Sequence, residues 1–502
     1  MHDFFAALEE RARLTPDAPA LSDTHRIVTY ASAVHAMLML AYGLPDRAAT
    51  IAITGRSGLA WIIADLSATF TGRRVVPIPS FFSAAQTEHI CADASVDLIL
   101  RCDAPPLAGD GGGVGLSHEL HSDDPLLFEQ FDLSANLSLP IYCGGGERII
   151  YTSGTTGTPK GVRHGDRQLS AAIHAITTAA AVTEHDIHLS ALPLSLLLEQ
   201  ISGVFVPLQA GAMSHVNYMV SDASLTGDIL PLCSALNQIF PTTTVLVPQQ
   251  LSGLTGAISK GWEPPNSLRF MAVGGAPLAL SLLEAATDGG LPVRYGYGLS
   301  ECGSVVSVEQ PGATRQSRNG ICSVGEPLAE LEVTIDNGEI VVTGPTVMKG
   351  YLNGPELGKP VWRTGDIGEL LPNGHLIVHG RRDRIVVLAN GRNVSPEWIE
   401  ASILTDPLIA SCRVSGQGAL HLSIHIEPTV TALSWFESSP DYEIARRLSS
   451  YTAGFPKYAR PGTAQIVRST ENTGDRPLRA ISLESTNAEV PVSPTNERQR
   501  AK

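Results

Sequence analysis

The sequence predicts an α/β protein: a large N-terminal domain of βαβ units with mixed sheets and a small antiparallel or barrel-like piece, then a small α+β C-terminal domain. Three observations carry this. Short β-like runs alternate with helix-like runs over the first ~100 residues, the pattern of βαβ units and a mostly parallel sheet. From Leu331 to Gly380 the apolar period changes to two, with Asp336-Asn337-Gly338 and Asn373-Gly374 as turn signals between hairpin strands. The charge balance then shifts: residues 1–379 carry a net −17 and residues 380–502 a net +2. That shift sets the expected boundary at about Gly380.

The elements follow in order. Thr50–Thr54 reads as a buried strand, Ser57–Phe70 as a helix and Arg74–Ile78 as a second strand. Residues 103–125, rich in Gly, Asp, Pro and Ser, read as an exposed loop. Ile149–Tyr151 is a short apolar run that enters a Gly/Thr-rich turn. Thr244–Pro248 and Arg269–Val273 are further buried strands, the second closing on Gly274-Gly275. In the C-terminal domain Ser395 reads as an N-cap, with Pro396 at the first helical position and Glu397 and Glu400 as a solvated helix start. The tail, about residues 485–502, is polar, contains Pro491 and Pro494, and is expected to be flexible.

Composition narrows the function. Hydrophobic residues make up 43% of the 502, enough for a sizeable core. The net charge of −15, with no basic run, argues against nucleic acid or an anionic membrane as partner. Seven scattered cysteines with no C-x-x-C pair argue against a disulfide framework or a zinc cluster, and suit a reducing cytoplasm. No run reaches ~18 apolar residues; even Leu192–Ala212 is interrupted by Ser195, Glu199, Gln200, Ser202 and Gln209. The start lacks a basic region followed by an apolar one, so a soluble cytoplasmic protein is expected.

The densest local signal is Tyr151-Thr152-Ser153-Gly154-Thr155-Thr156-Gly157-Thr158-Pro159-Lys160-Gly161-Val162. Its glycines let backbone N–H groups approach a ligand, its hydroxyls add donors, and Lys160 adds a compact cation. That combination suits a polyphosphate. The spacing is not that of a Walker A loop.

This string resembles the phosphate-binding loop of the adenylate-forming (AMP-binding) ligases, among them the acyl-CoA synthetases and fatty-acid–CoA ligases. Further motifs along nearly the whole chain extend the resemblance. Gly274-Gly275-Ala276-Pro277 is similar to the adenine-contacting turn. Gly296-Tyr297-Gly298-Leu299-Ser300-Glu301 is similar to the aromatic-Gly-x-[ST]-Glu motif, which implies Tyr297 beside adenine, Gly298 in the turn, Ser300 on phosphate and Glu301 on Mg²⁺. Trp362-Arg363-Thr364-Gly365-Asp366 resembles the string whose Asp accepts both ribose hydroxyls. Gly380-Arg381-Arg382-Asp383 resembles the hinge, with Arg381 on ribose and Asp383 at the pivot; Gly391 falls in the turn near the thiol channel. The resemblance implies ATP and Mg²⁺ as cofactors and an acyl-adenylate intermediate. It also implies transfer to the thiol of coenzyme A or of phosphopantetheine on an acyl-carrier protein.

Two departures shape the expectations. The family's C-terminal catalytic lysine has no counterpart, since no Lys lies between Lys457 and Lys502. Anchoring on Gly474 puts Asp475 in its place; anchoring on Arg479 puts Arg476 there with one residue inserted. Arg476 is the better bridge between carboxylate and phosphate oxygens, although the exchange is not conservative. Lys457 is a second cation nearby. The other departure is Leu192-Pro193-Leu194-Ser195-Leu196, where Leu196 stands in the place of the family's aromatic or His gate. With Gly275 it would form an apolar acyl pocket. The resulting expectation is a carboxylic acid ligase with catalytic Lys160, Glu301 and Arg476. A medium or long fatty acid comes first as substrate, an aryl or polyene acid next. The alternatives are an amine acceptor, or a nucleotide-binding descendant with impaired adenylation.

Overall fold

The computed structural model describes residues 1–103, 116–121, 142, 144–152, 159–468 and 476–483. The chain divides into two compact units, Met1–His379 and Gly380–Lys502.

Two large sheets organise the first unit. In one, Val293–Tyr297, Phe270–Val273, Thr243–Leu246, Ile187–Ser190, Met213–Val216 and Pro19–Ser22 run parallel in that spatial order. In the other, Glu147–Thr152, Arg74–Pro77, Thr50–Gly55, Leu98–Cys102 and Leu116–Leu120 are parallel. Lys160–Gly165 and Gly350–Tyr351 extend its edge in antiparallel fashion. These parallel strands are covered on both faces, which is why Ile51, Ala52 and Ile53 are buried without alternation. For the same reason the helix Leu59–Phe70 is buried around nearly its whole circumference, with Trp61 fully buried.

The sequence expectations hold for element type and shift at the ends. Pro248 does not close its strand; it opens the helix Pro248–Ile258, where its fixed φ and missing N–H suit the first position. The segment read as a loop over 103–125 contains the strand Leu116–Leu120, paired in register with Leu98–Cys102. Neighbouring pairing, invisible in a Gly-rich stretch, decides that strand. Asp366 lies on a ten-residue strand, Val361–Leu370, rather than in a turn. That strand joins Glu332–Asp336, Glu339–Thr343 and Leu376–Arg381 in a four-stranded antiparallel sheet. Its first hairpin turns at Asn337 and Gly338, both at positive φ (51° and 80°), as a tight primed turn requires.

In the second unit, Ile409–Ser415, Leu422–Pro428, Pro461–Arg468 and Arg476–Ser482 form a sheet. The parallel pair Leu422–Pro428 and Pro461–Arg468 is joined across the helix Asp441–Thr452, which buries Ile444 and Leu448. Pro396 opens the helix Pro396–Ile403, but Ser395 makes no capping bond. Glu397 and Glu400, expected from sequence to be solvated, are instead mostly covered. Arg384 pairs with Glu397 at 3.0 Å, and Glu400 accepts the Val414 N–H at 2.8 Å. The helix packs against the strand Ile409–Ser415, which covers Glu400, while Glu397 lies against Arg384 and Gly380. The tail 485–502 lies outside the described residues.

Candidate active site

The site residues of the first unit gather at carboxyl ends of parallel strands, where loops of an open α/β sheet leave a crevice. Thr152 and Lys160 are directly opposite in an antiparallel pair, so the glycine-rich stretch is the connection of a hairpin. Ser153, Gly154, Thr155, Thr156 and Gly157 lie outside the described residues. Lys160 is exposed, with Nζ 5.8 Å from the centre of the Tyr351 ring. Tyr351 donates its hydroxyl to Glu301 Oε1 at 2.8 Å, and Trp362 meets its ring edge-on at 5.8 Å. The Met348 N–H donates to the Glu301 carbonyl at 2.8 Å. His164, on the strand after the loop, donates from Nε2 to the Ser300 carbonyl at 2.8 Å. Burial pulls the His164 imidazole down to about 4, so it is neutral in this role. Lys160, Ser300 and Glu301 are thus brought together, although the sequence separates them by about 140 residues.

Beside them Tyr297 donates to Asp366 Oδ2 at 2.5 Å. Burial, and then the Asp366 carboxylate, push the Tyr297 phenol well above its ordinary value, so it remains a donor. The carboxylate is aimed by its own strand. Glu339 accepts from Gly365 N at 3.0 Å and from Arg363, while Asp366 N donates to Thr364 Oγ1 at 3.0 Å.

The turn after Phe270–Val273 fits a flat ligand. Gly275 has φ +88°, and a Cβ there would meet nothing within 4 Å, so the turn opens onto free space. Gly274 is held close to the Gly296 carbonyl, and a Cβ at Gly298 would collide with the Ser304 backbone. Ala276 is exposed, and its carbonyl accepts from the Tyr295 hydroxyl at 3.4 Å.

A metal fits the same crevice under one condition. Among the described residues no cluster of three His, Cys, Asp or Glu could hold an ion alone. Glu301 offers a single carboxylate, which suits a hard cation that completes its shell with ligand phosphates. Mg²⁺ with ATP meets that condition.

The same unit holds an apolar cavity lined by Leu198, Ser202, Val206, Ala272, Val305 and Leu328, among others. Leu196 and Gly275 do not line it. Leu196 is the half-buried N-cap of the short helix Leu197–Glu199, which continues as a π-helical turn, Gln200–Phe205. Residues 198, 202 and 206, four apart, share the face that looks into the cavity.

Four site residues fall in the second unit. Arg381 ends the strand Leu376–Arg381, and its carbonyl accepts from Arg384 and Ile385, both at 3.1 Å. Asp383 is exposed in the turn that follows. Gly391 sits at φ +74° with open space where a Cβ would be. Arg476 begins the last described strand, opposite Arg468.

Sequence reasoning missed three residues. Tyr351 was signalled only by an aromatic after Gly350. His164 stood four residues past Lys160. Arg148 follows Glu147 at the start of the strand Glu147–Thr152, where local sequence gives no sign of a buried partner. It is fully buried, with Asp65 at 2.8 Å, the Gln200 amide oxygen at 2.6 Å and Thr69 Oγ1 at 3.0 Å. Burial raises the Asp65 pKa, and Arg148 opposes that rise. The cluster ties the strand that leads into the phosphate-loop connection to the π-helical turn.

Comparison with known proteins agrees with this layout. The profile of the AMP-binding enzymes matches residues 8–352. A 2-succinylbenzoate–CoA ligase of Geobacillus kaustophilus is 30% identical over 435 residues, 82% of this chain and 84% of its own. One from Bacillus licheniformis is 29% identical over 439 residues, 82% of this chain and 86% of its own. The structure of O-succinylbenzoate coenzyme A synthetase from Bacillus subtilis, in complex with ATP and magnesium ion, superposes with a TM-score of 0.73. It covers 95% of this chain and 98% of that one at 23% identity, a likeness of fold. With the profile spanning more than half its length, the chain belongs to the AMP-binding enzyme family.

Proposed function

We propose that this chain is an AMP-forming ligase that joins an aryl acid to coenzyme A. The observation that carries it is the pairing of Lys160 and Glu301 through Tyr351, and of Tyr297 with Asp366, together with the strand Phe270–Val273, which ends in the Gly274-Gly275 turn and lines an apolar cavity with Phe270 and Ala272. One strand then serves both a polar crevice for a nucleotide and an apolar pocket for an acid. Fatty acids stood first in the sequence reading. The curated relatives are named for 2-succinylbenzoate, which moves the preference to an aryl acid.

In the first step a carboxylate oxygen attacks the α-phosphorus and pyrophosphate leaves. In the second the thiol sulfur attacks the acyl carbon, AMP leaves, and the thiol proton goes to solvent. Lys160 supplies positive charge at the phosphates, Asp366 accepts from the ribose hydroxyls, and Tyr297 and the Gly274-Gly275-Ala276 turn flank the base. Glu301 would hold Mg²⁺, which would supply charge neutralisation at the phosphates. Catalysis is mainly positioning and electrostatics. The second unit acts as the lid: Arg476 brings the carboxylate-bridging cation, Arg381 reaches the ribose, Asp383 is the pivot, and Gly391 borders the thiol's path. Both co-substrates are abundant in the cytoplasm, where we place the reaction. Among the described residues no helix is long and apolar enough to cross a membrane.

ATP–pyrophosphate exchange over a panel of aryl and fatty acids tests the first step. Product formation with coenzyme A, a carrier protein or simple amines tests the second. Exchange with an aryl acid and thioester formation with coenzyme A are expected. Exchange with no acid would end the ligase reading.

A further inference from the structure

The apolar cavity has one polar corner. His188, on the strand Ile187–Ser190, lines the cavity and stands in register with Thr243 on the neighbouring parallel strand. Its Nδ1 lies 2.9 Å from Thr243 Oγ1. Its Nε2 is buried, has no hydrogen-bond partner, and lies 3.9 Å from Glu199 Oε1. Glu199 stands next to His188 but is not among the residues that line the cavity; it is fully buried, and neither of its carboxyl oxygens has a hydrogen-bond partner. It is pressed onto its own helix: a Cβ on Gly203 would come within 2.5 Å of Oε1. The hydroxyl-bearing Ser202 lines the cavity one turn away.

Three buried polar atoms without partners are costly and call for an explanation. The alkyl groups of Val305, Val308, Leu328 and Ile176 offer these atoms nothing. A gap of 3.9 Å is too long for a hydrogen bond between His188 and Glu199, but one small polar group beside it can reach both. A hydroxyl suits either tautomer of His188, since it donates and accepts, and an amino group donates to Glu199. A second carboxylate would face the acidic side chain with no cation beside it.

Resting on the ligase reading, we propose that His188 and Glu199, with Thr243 fixing the imidazole, read a hydroxyl or amino substituent on the ring of the aryl acid. The corner discriminates because an acid lacking that group leaves buried polar atoms unpaired.

Calorimetric binding to the full chain tests this without turnover, using benzoate, the hydroxybenzoates, the aminobenzoates and phthalate. At least one hydroxy- or aminobenzoate should bind about tenfold or more tighter than benzoate, and phthalate weaker. In Glu199→Gln and His188→Phe that ratio should fall toward one. If either fails to fold, judged by its thermal transition, Thr243→Val is the second variant, with a smaller loss of ratio. Equal binding of benzoate and every substituted acid by the wild type overturns the proposal, as does an unchanged ratio in the variants. A binding preference without pyrophosphate exchange would leave the recognition standing and remove the ligase reading instead.

Discussion

In the nucleotide crevice the acidic groups already have protein partners: Asp366 takes the Tyr297 hydroxyl, and Glu301 takes that of Tyr351. At the apolar cavity, His188 Nε2 and both oxygens of the neighbouring Glu199 have no hydrogen-bond partner. The strand Phe270–Val273 serves both regions, but they are finished differently. The crevice is preorganised, so the charge that develops on phosphate meets oriented groups. The cavity leaves its polar corner for a substrate to complete, which is how a pocket of alkyl groups gains selectivity.

The comparison breaks most severely at Arg148, which supports both regions. Arg148→Ala strands Asp65 in the core and should cost about 3–5 kcal/mol of stability, read by urea denaturation. A loss below about 1 kcal/mol would mean that the cluster is dispensable. Next comes the crevice alone. Glu301→Gln should lower adenylation on the order of a hundredfold. Tyr351→Phe should weaken Mg²⁺ dependence about tenfold, seen as a higher Mg²⁺ concentration for half-maximal exchange. Neither should alter acid binding measured without nucleotide; if both do, the two regions are not separable. Filling the cavity with Ala272→Leu should raise the KM for the acid about tenfold or more while the KM for ATP moves little, because overpacking stays local.

The last test is pH dependence. Burial lowers both His164 and His215 from 6.5 to about 4. Between those values the unfolded chain binds protons that the folded chain refuses. Their contribution to stability is therefore complete above 6.5 and is lost as pH falls toward 4, by up to about 1.4 kcal/mol per pH unit for each group. Replacing His164 with Gln should flatten the decline between about pH 6.5 and about pH 4 relative to wild type. An unchanged slope would show that the crevice histidine is not held neutral.

Much of the α/β plan was legible because parallel strands buried on both faces leave continuous apolar runs, such as Thr50–Thr54 and Arg269–Val273. The strand Leu116–Leu120 was not legible, because its pairing with Leu98–Cys102 comes from a neighbour rather than from its own pattern. Asp366 stood out by its string, yet its strand and its Tyr297 contact did not.

By itself the sequence determined the chemistry on offer: a hydroxyl- and glycine-rich string with Lys160, a carboxylate at Glu301, an acid at Asp366 and an apolar stretch from Leu192. Local composition carries such information. Only the tertiary structure decided what meets what. It set Tyr351 on Glu301, buried Arg148 against Asp65, and turned Leu198 rather than Leu196 toward the cavity. It also left His188 and Glu199 facing each other across a gap too long to close. Those outcomes depend on strand register, helix period and burial, which arise from contacts between residues far apart in the chain.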